Sequence, residues 1–271
     1  MRFGARLVHQ LVLLAFGRNP HRYLRLRPAC SRTQVLVNLH TRKRLNFDIR
    51  DTVDYTVLNQ VFVNEEYDVA RLPQHQSLIE TYRRMVEARQ TPLILDCGAN
   101  IGMAAAYFTD RFPEARVIAV EPEKGNFDLA TRNCRHRNVD LIHAAIASEN
   151  TSGSLIDPGF GGWSYRVQTG AAPAAEGIRM ISIDSLLMDP AYQHCQPFIV
   201  KIDIEGFEEE LFSKNTDWVD KFPLLIIELH DWMLPGQGSS RPFLSTISRL
   251  NRDFVYIGEN VFSLVHQPNS A

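Results

Sequence analysis

Four short apolar runs in this 271-residue chain end in an acid: Leu93–Leu95 before Asp96, Val117–Val120 before Glu121, Phe198–Ile202 before Asp203, and Leu224–Ile227 before Glu228. His230 follows two residues after the last of them. Runs of this length, bounded by turn residues, read as strands buried in a parallel sheet. An acid at the carboxyl end of each would project into the crevice where open α/β sheets hold ligands. Carboxylates and an imidazole in that crevice can hold a positively charged ligand or accept hydrogen bonds from sugar hydroxyls. They can also take a proton from a reacting group.

The turn after Asp96 narrows the ligand. Asp96-Cys-Gly98-Ala-Asn100-Ile-Gly102 does not fit the Gly-x-Gly-x-x-Gly dinucleotide fingerprint in either register, because Asn100 and Met103, or Asp96 and Ile101, fall where glycines are needed. No Gly-Lys-Ser/Thr ending makes a phosphate-cradling loop. An acid at the start of the turn repels phosphate but suits a ligand carrying ammonium and sulfonium charges, and S-adenosylmethionine (SAM) carries both. Glu121 lies about where an acid accepts hydrogen bonds from ribose hydroxyls. The cofactor-binding set is therefore Asp96, Gly98, Asn100, Gly102 and Glu121.

Methyl transfer from such a donor requires alignment of the acceptor, exclusion of water and removal of a proton from an alcohol. Asp203 and His230 are the catalytic candidates, with Glu228 on the same strand face as His230. A neutral imidazole near its usual pKa suits a general base at physiological pH. Alternatively, Asp203 with Glu228 or His230 holds a divalent cation that lowers the pKa of the hydroxyl. The metal-free base is the reading adopted, because no further carboxylate is placed for a metal. Lys201, inside an apolar strand, must reach a carboxylate, with Asp203, Glu205 and Glu228 in range. Glu205 and Gly206 read as the opening of a helix.

Leu93–Gly102 resembles motif I of class I SAM-dependent methyltransferases, with Asn100 in place of the second glycine, and Glu121 resembles their ribose-binding acid. Phe198-Ile-Val-Lys-Ile-Asp-Ile-Glu-Gly206 is similar to the Lys-Ile-Asp-x-Glu-Gly signature of the FkbM family, as are Leu224–His230 and Gln60–Tyr67. The resemblance covers roughly residues 50 to 265. It implies a Rossmann-like, mostly parallel seven-stranded sheet with helices on both faces, and O-methylation of a small molecule or sugar. A nicotinamide-dependent oxidoreductase is the rival on the same nucleotide-binding unit, but it lacks its glycines. A non-catalytic SAM-binding protein would need damaged motifs, and these look intact. Nucleic acid is not an expected partner, since there is no Asn-Pro-Pro-Tyr-like base-flipping motif and the net charge is −2.

These motifs need elements to position them. The chain divides at residue 90 into an N-terminal α+β cover (1–90) and the SAM-binding domain (91–271). In the cover, residues 2–17 have the apolar spacing of an amphipathic helix docked on the body; with the arginines up to Arg27, the alternative is a segment in peripheral contact with a membrane surface. Residues 34–49 read as a β-hairpin, 51–63 and 74–88 as helices. Gln60, Glu65, Glu66 and Tyr67 are placed to face an acceptor. Strands are predicted near 93–96, 116–121, 140–145, 197–203, 224–229, 253–257 and 261–265, with helices near 102–111, 124–135, 205–213 and 240–251. Asp184 reads as the cap of a short helix, and Asn126 and Asp128 as decoration on a first helical turn. A glycine-rich insertion, roughly 148–179, offers Phe160, Trp163 and Tyr165 to stack on an acceptor ring. The composition, 45% hydrophobic and 22% charged, is that of a globular protein, and four cysteines without pair or metal spacing fit a reduced, cytoplasmic protein.

Overall fold

The computed structural model describes residues 22–28, 30–156, 166–169, 177–233 and 235–266. The predicted hairpin is present as β2 (Thr33–Asn38) and β3 (Arg44–Asp48), and a further strand, β1 (Tyr23–Arg25), pairs antiparallel with β2 to make a three-stranded sheet. Alternation turns Leu45 and Phe47 of β3 inward. Helix α1 (Thr52–Phe62) begins where Asp51 accepts hydrogen bonds from the Val53 and Asp54 amides. It buries Leu58, Val61 and Phe62. Helix α2 (His75–Glu87) follows, with Leu78 and Met85 inward. The cover is not an independent body. Its apolar face lies in the same core as the sheet that follows, with Tyr23 edge-on to Phe62 at 4.9 Å and Phe62 edge-on to Tyr107 at 5.8 Å.

The main sheet starts with β4 (Thr91–Cys97), α3 (Met103–Arg111), β5 (Arg116–Glu121), α4 (Lys124–Asn133) and β6 (Val139–His143). After an insertion formed by β7 (Ala145–Ala147), β8 (Thr151–Ile156), β9 (Arg166–Thr169), β10 (Ile178–Ser182) and α5 (Ile183–Leu187), it resumes with β11 (Cys195–Ile202). There follow α6 (Glu208–Leu211), β12 (Leu224–Glu228), α7 (Arg241–Ile247), β13 (Arg252–Ile257) and β14 (Asn260–Val265). The order across the sheet is β6-β5-β4-β11-β12-β14-β13, parallel except for β14, which runs antiparallel to both neighbours. This is the seven-stranded class I methyltransferase sheet. Residues alternate between two cores: Ile94 packs with α1, α2 and α3, whereas Leu93, Leu95 and Cys97 pack with Trp218, Phe222 and Phe243 on the far face.

Two local expectations are corrected. The helix after β11 is only Glu208–Leu211, because residues 204–207 are spent on a tight turn with Glu205 and Gly206 at positive φ. Ser182, not Asp184, caps α5, accepting from the Ser185 amide, while Asp184 pairs with Lys221 at 3.0 Å. The insertion is a second sheet, ordered β7-β10-β8-β9. The N-terminal helical segment at 2–17 and the aromatic residues Phe160, Trp163 and Tyr165 lie outside the described residues. Among the described residues no helix is long and apolar enough to cross a membrane, and all four cysteines are free.

Candidate active site

The sheet order reverses between β4 and β11, and a crevice opens there at the carboxyl ends of the strands. Their register sets Lys201 beside Asp96 and Ile202 beside Cys97, and the Asp203 amide donates to the Cys97 carbonyl at 3.0 Å. The glycine turn therefore passes directly against Asp203. A Cβ at Gly98 would fall 1.8 Å from the Asp203 carbonyl oxygen, and φ there is +82°, so only glycine fits. Asn100 stands where the motif usually has glycine because its φ of +49° is in the left-handed region that Asn tolerates. Its amide donates to Glu121 Oε2 at 2.7 Å. Gly102 (φ +83°) begins α3, packed closely against Cys134 and Ala130.

Glu121 also accepts from the Glu123 amide at 2.9 Å and from the Asn126 side chain, which in turn accepts from Arg50 at 2.7 Å. Burial pushes its carboxyl up to about 7, and these hydrogen bonds pull the other way. Asn126 is thus a buried link between the cover and Glu121, not surface decoration. Asp96 is fully buried below the turn. Lys201 Nζ lies 3.2 Å from Asp96 and 3.4 Å from Asp203, and it donates to the Gly98 carbonyl at 2.7 Å. Burial disfavours the lysine charge, but Asp96 and Asp203 outweigh it and hold its pKa well above the usual value. The closer partner of Lys201 is therefore Asp96, which spacing along β11 alone did not indicate.

At the other end of the crevice, His230 is 1% exposed and its Nδ1 lies 2.8 Å from Glu208 Oε1. Its Nε2 stands 3.5 Å from Glu228, 3.6 Å from Glu205 and 3.7 Å from Asp203. Burial lowers the histidine pKa, but the Glu208 hydrogen bond and the surrounding carboxylates raise it further, to about 9. Without a bound metal, this shift favours the protonated imidazole. Burial and then the Asp203 charge raise Glu205 to about 8 and Glu228 to about 7. The expectation that no further carboxylate is placed here is also corrected. Glu205 is brought in by its left-handed backbone (φ +56°), and Glu208 closes behind the histidine. The sequence signal for them was weak, since an acid-rich helix opening is explained equally well by the helix dipole.

A cavity of 330 Å³ joins the two ends. Its lining includes Gly98, Ala99 and Asn100 of the turn, Lys201, Asp203, Glu205, Glu228 and His230 from the β11 and β12 ends, and Gln60, Glu66 and Tyr67 of the cover. Glu65 instead turns inward and accepts from the Arg22 amide at 2.8 Å. Asp96, Gly102 and Glu121 support the wall from behind. Trp232, not singled out by sequence, stands at the cavity with 64% of its surface exposed.

Residues 96–256 match the Methyltransferase FkbM domain. This chain belongs to the FkbM methyltransferase family. It is 28% identical over 198 residues to the hexuronic acid methyltransferase AglP of Haloferax volcanii, covering 70% of this chain and 79% of that protein. It is also 30% identical over 77 residues to the methyltransferase sdnD of Sordaria araneosa, covering 28% of this chain and 24% of that one. Among solved structures it is similar to an O-methyltransferase from Bacillus cereus in complex with SAH, with a TM-score of 0.41 and 12% identity, over 80% of this chain and 92% of that chain.

The FkbM methyltransferase thus brings together, in one cavity, a tight glycine turn and a set of carboxylates gathered around His230. Asp203 belongs to both ends: its backbone abuts Gly98 and its side chain faces His230.

Proposed function

We propose that this methyltransferase takes its methyl group from SAM and places it on a hydroxyl of a sugar, a glycan or a secondary metabolite. The observation that carries the reading is the single cavity shared by the Gly98–Asn100 turn and the Asp203–Glu205–Glu228–His230 group. Its wall holds more acids than bases, which favours a sulfonium and an ammonium over the pyrophosphate of a dinucleotide. Bound there, SAM supplies a methyl carbon activated by the adjacent sulfonium. Gly98 lets the turn close against Asp203 so that its backbone edges the cavity, and we read Glu121, behind Asn100, as the acid that accepts hydrogen bonds from ribose hydroxyls.

The acceptor hydroxyl loses its proton to the carboxylate group as the new oxygen–methyl bond forms. Asp203 and Glu228 face that step, with Glu205 beside them. Glu205 and Glu228, their pKa values raised by burial and by the Asp203 charge, are matched to this work. His230, oriented by Glu208, stands among these acids, while Tyr67 and Gln60 of the cover narrow the cavity and exclude water. The likeness to a hexuronic acid methyltransferase supports a saccharide acceptor.

Thermal unfolding with SAM, S-adenosylhomocysteine and NAD tests the cofactor. A ligand bound only by the folded state stabilises it by about 2.7 kcal/mol at a hundred times its dissociation constant. SAM and S-adenosylhomocysteine should raise the melting temperature of the wild type but not of Glu121→Ala. Stabilisation by NAD alone would overturn the reading. Transfer of labelled methyl from SAM to saccharides then tests the acceptor class, and label found on nitrogen in place of oxygen would overturn that part.

A further inference from the structure

We propose that Asp203, Glu228 and His230 form a binding site for a divalent metal cation, the His230 Nε2 giving up its proton as the ion binds, which deepens the methyl-transfer reading above by giving the acceptor oxygen a place to bind. One oxygen from each acid and one imidazole nitrogen all lie within 4.8 Å of one another. From His230 Nε2 the separations are 3.5 Å to Glu228 and 3.7 Å to Asp203 Oδ1, and Glu205 stands at 3.6 Å. Ligand atoms about 2.1 Å from a common metal sit roughly 3.0 Å apart at octahedral angles and roughly 3.4 Å apart at tetrahedral ones. The separations from Nε2 exceed these by a few tenths of an ångström, and the full set, spread over up to 4.8 Å, would draw in by up to about 1.8 Å through carboxylate rotation to meet on one ion.

The histidine supplies a second, independent observation. It is almost wholly buried, yet among the described residues its Nε2 makes no hydrogen bond, although three carboxylate oxygens surround it. A buried imidazolium serving only as counter-charge would close on at least one of them at about 2.8 Å. Its ring is instead fixed from behind. Glu208, 0% exposed, holds Nδ1 at 2.8 Å, which points Nε2 at the carboxylates. That is the orienting contact metal-bound histidines make through their second nitrogen.

Asp203 is divided in the same sense. Its Oδ2 faces Lys201 at 3.4 Å, leaving Oδ1 for the site. Asp203 and Glu228 keep part of their surface open to the cavity, so an acceptor oxygen can complete the coordination shell. Two carboxylates with one imidazole suit manganese or magnesium better than a soft-ligand metal.

The test is titration of Mn²⁺ into the full-length protein, freed of metal with a chelator, followed by the loss of the free-ion electron paramagnetic resonance signal. No SAM or acceptor is present. One Mn²⁺ should bind per chain, and Mn²⁺ should raise the melting temperature. Glu228→Gln and His230→Gln should remove binding, and Glu208→Gln should weaken it roughly tenfold. Asp140→Asn, on the edge strand β6 and paired with Arg116, should leave it unchanged, which separates a site from diffuse attraction to acids. Circular dichroism confirms that each variant is folded. The proposal fails if Mn²⁺ does not bind at millimolar concentration, or if folded Glu228→Gln and His230→Gln bind it as the wild type does. Because the titration contains no SAM, its failure is distinguishable from failure of the cofactor assignment, which the SAM and NAD melting comparison decides.

Discussion

The Lys201 ammonium lies 3.2 Å from Asp96 and donates to the carbonyl of Gly98, so one buried cation ties together β4, the turn that leaves it and β11. The side chain is 3% exposed and has Asp203 as its second carboxylate neighbour.

Removing that cation leaves a fully buried carboxylate without a counter-charge. Lys201→Met should destabilise the protein by about 3–5 kcal/mol, measured by urea unfolding at pH 7. Adding Asp96→Leu should recover part of the loss, because it is the uncompensated charge that is costly. Additive losses in the double variant would contradict a charged pair.

The glycine turn should discriminate sharply between its positions. Gly98→Ala forces a Cβ into the Asp203 carbonyl at a left-handed φ, so it should weaken S-adenosylhomocysteine binding more than about tenfold and lower the melting temperature. Asn100→Gly relieves a left-handed asparagine and keeps the amide that donates to Glu121, so calorimetry should show only a small change in affinity. Equal losses in the two variants would mean that contact with Asp203 is not what demands glycine.

Glu121 carries a cost to stability that depends on pH. Its folded pKa is raised from 4.5 to about 7 by burial, so between those values the native state binds more protons than the unfolded state. Its contribution is full below 4.5 and is lost as pH rises through 7. The stability of the wild type relative to Glu121→Gln should therefore fall between pH 5 and pH 8, by an amount on the order of 2 kcal/mol. Parallel stability curves would contradict the raised pKa.

Trp232 offers an exposed aromatic face beside His230, with ring centres 6.4 Å apart. If the acceptor is a sugar, that face is placed to stack on it. Trp232→Ala should raise the acceptor KM about tenfold and leave S-adenosylhomocysteine affinity unchanged, since the residue stands at the His230 end of the cavity. A fall in kcat with KM constant would assign it a different role.

The sequence by itself determined the strands, the order of strand and helix, and an acid at the carboxyl end of each motif-bearing strand. These follow from local causes: apolar runs of strand length, turn residues at fixed spacing, and alternation that puts Glu228 and His230 on one side. It also marked Gly98 and Gly102, because the turn chemistry is written in adjacent residues. Only the tertiary structure decided which charged groups meet. Asp96 and Lys201 are neighbours because β4 and β11 adopt one particular register across a long crossover. Arg50, Asn126 and Glu121 form a chain because the cover packs against α4. Glu208 reaches His230 because residues 204–207 turn instead of starting a helix. Each of these contacts joins residues far apart in sequence or depends on a turn conformation that the residue types do not dictate. The charge on Lys201, Glu121 and His230 follows from burial and neighbours, which spacing along the chain does not contain.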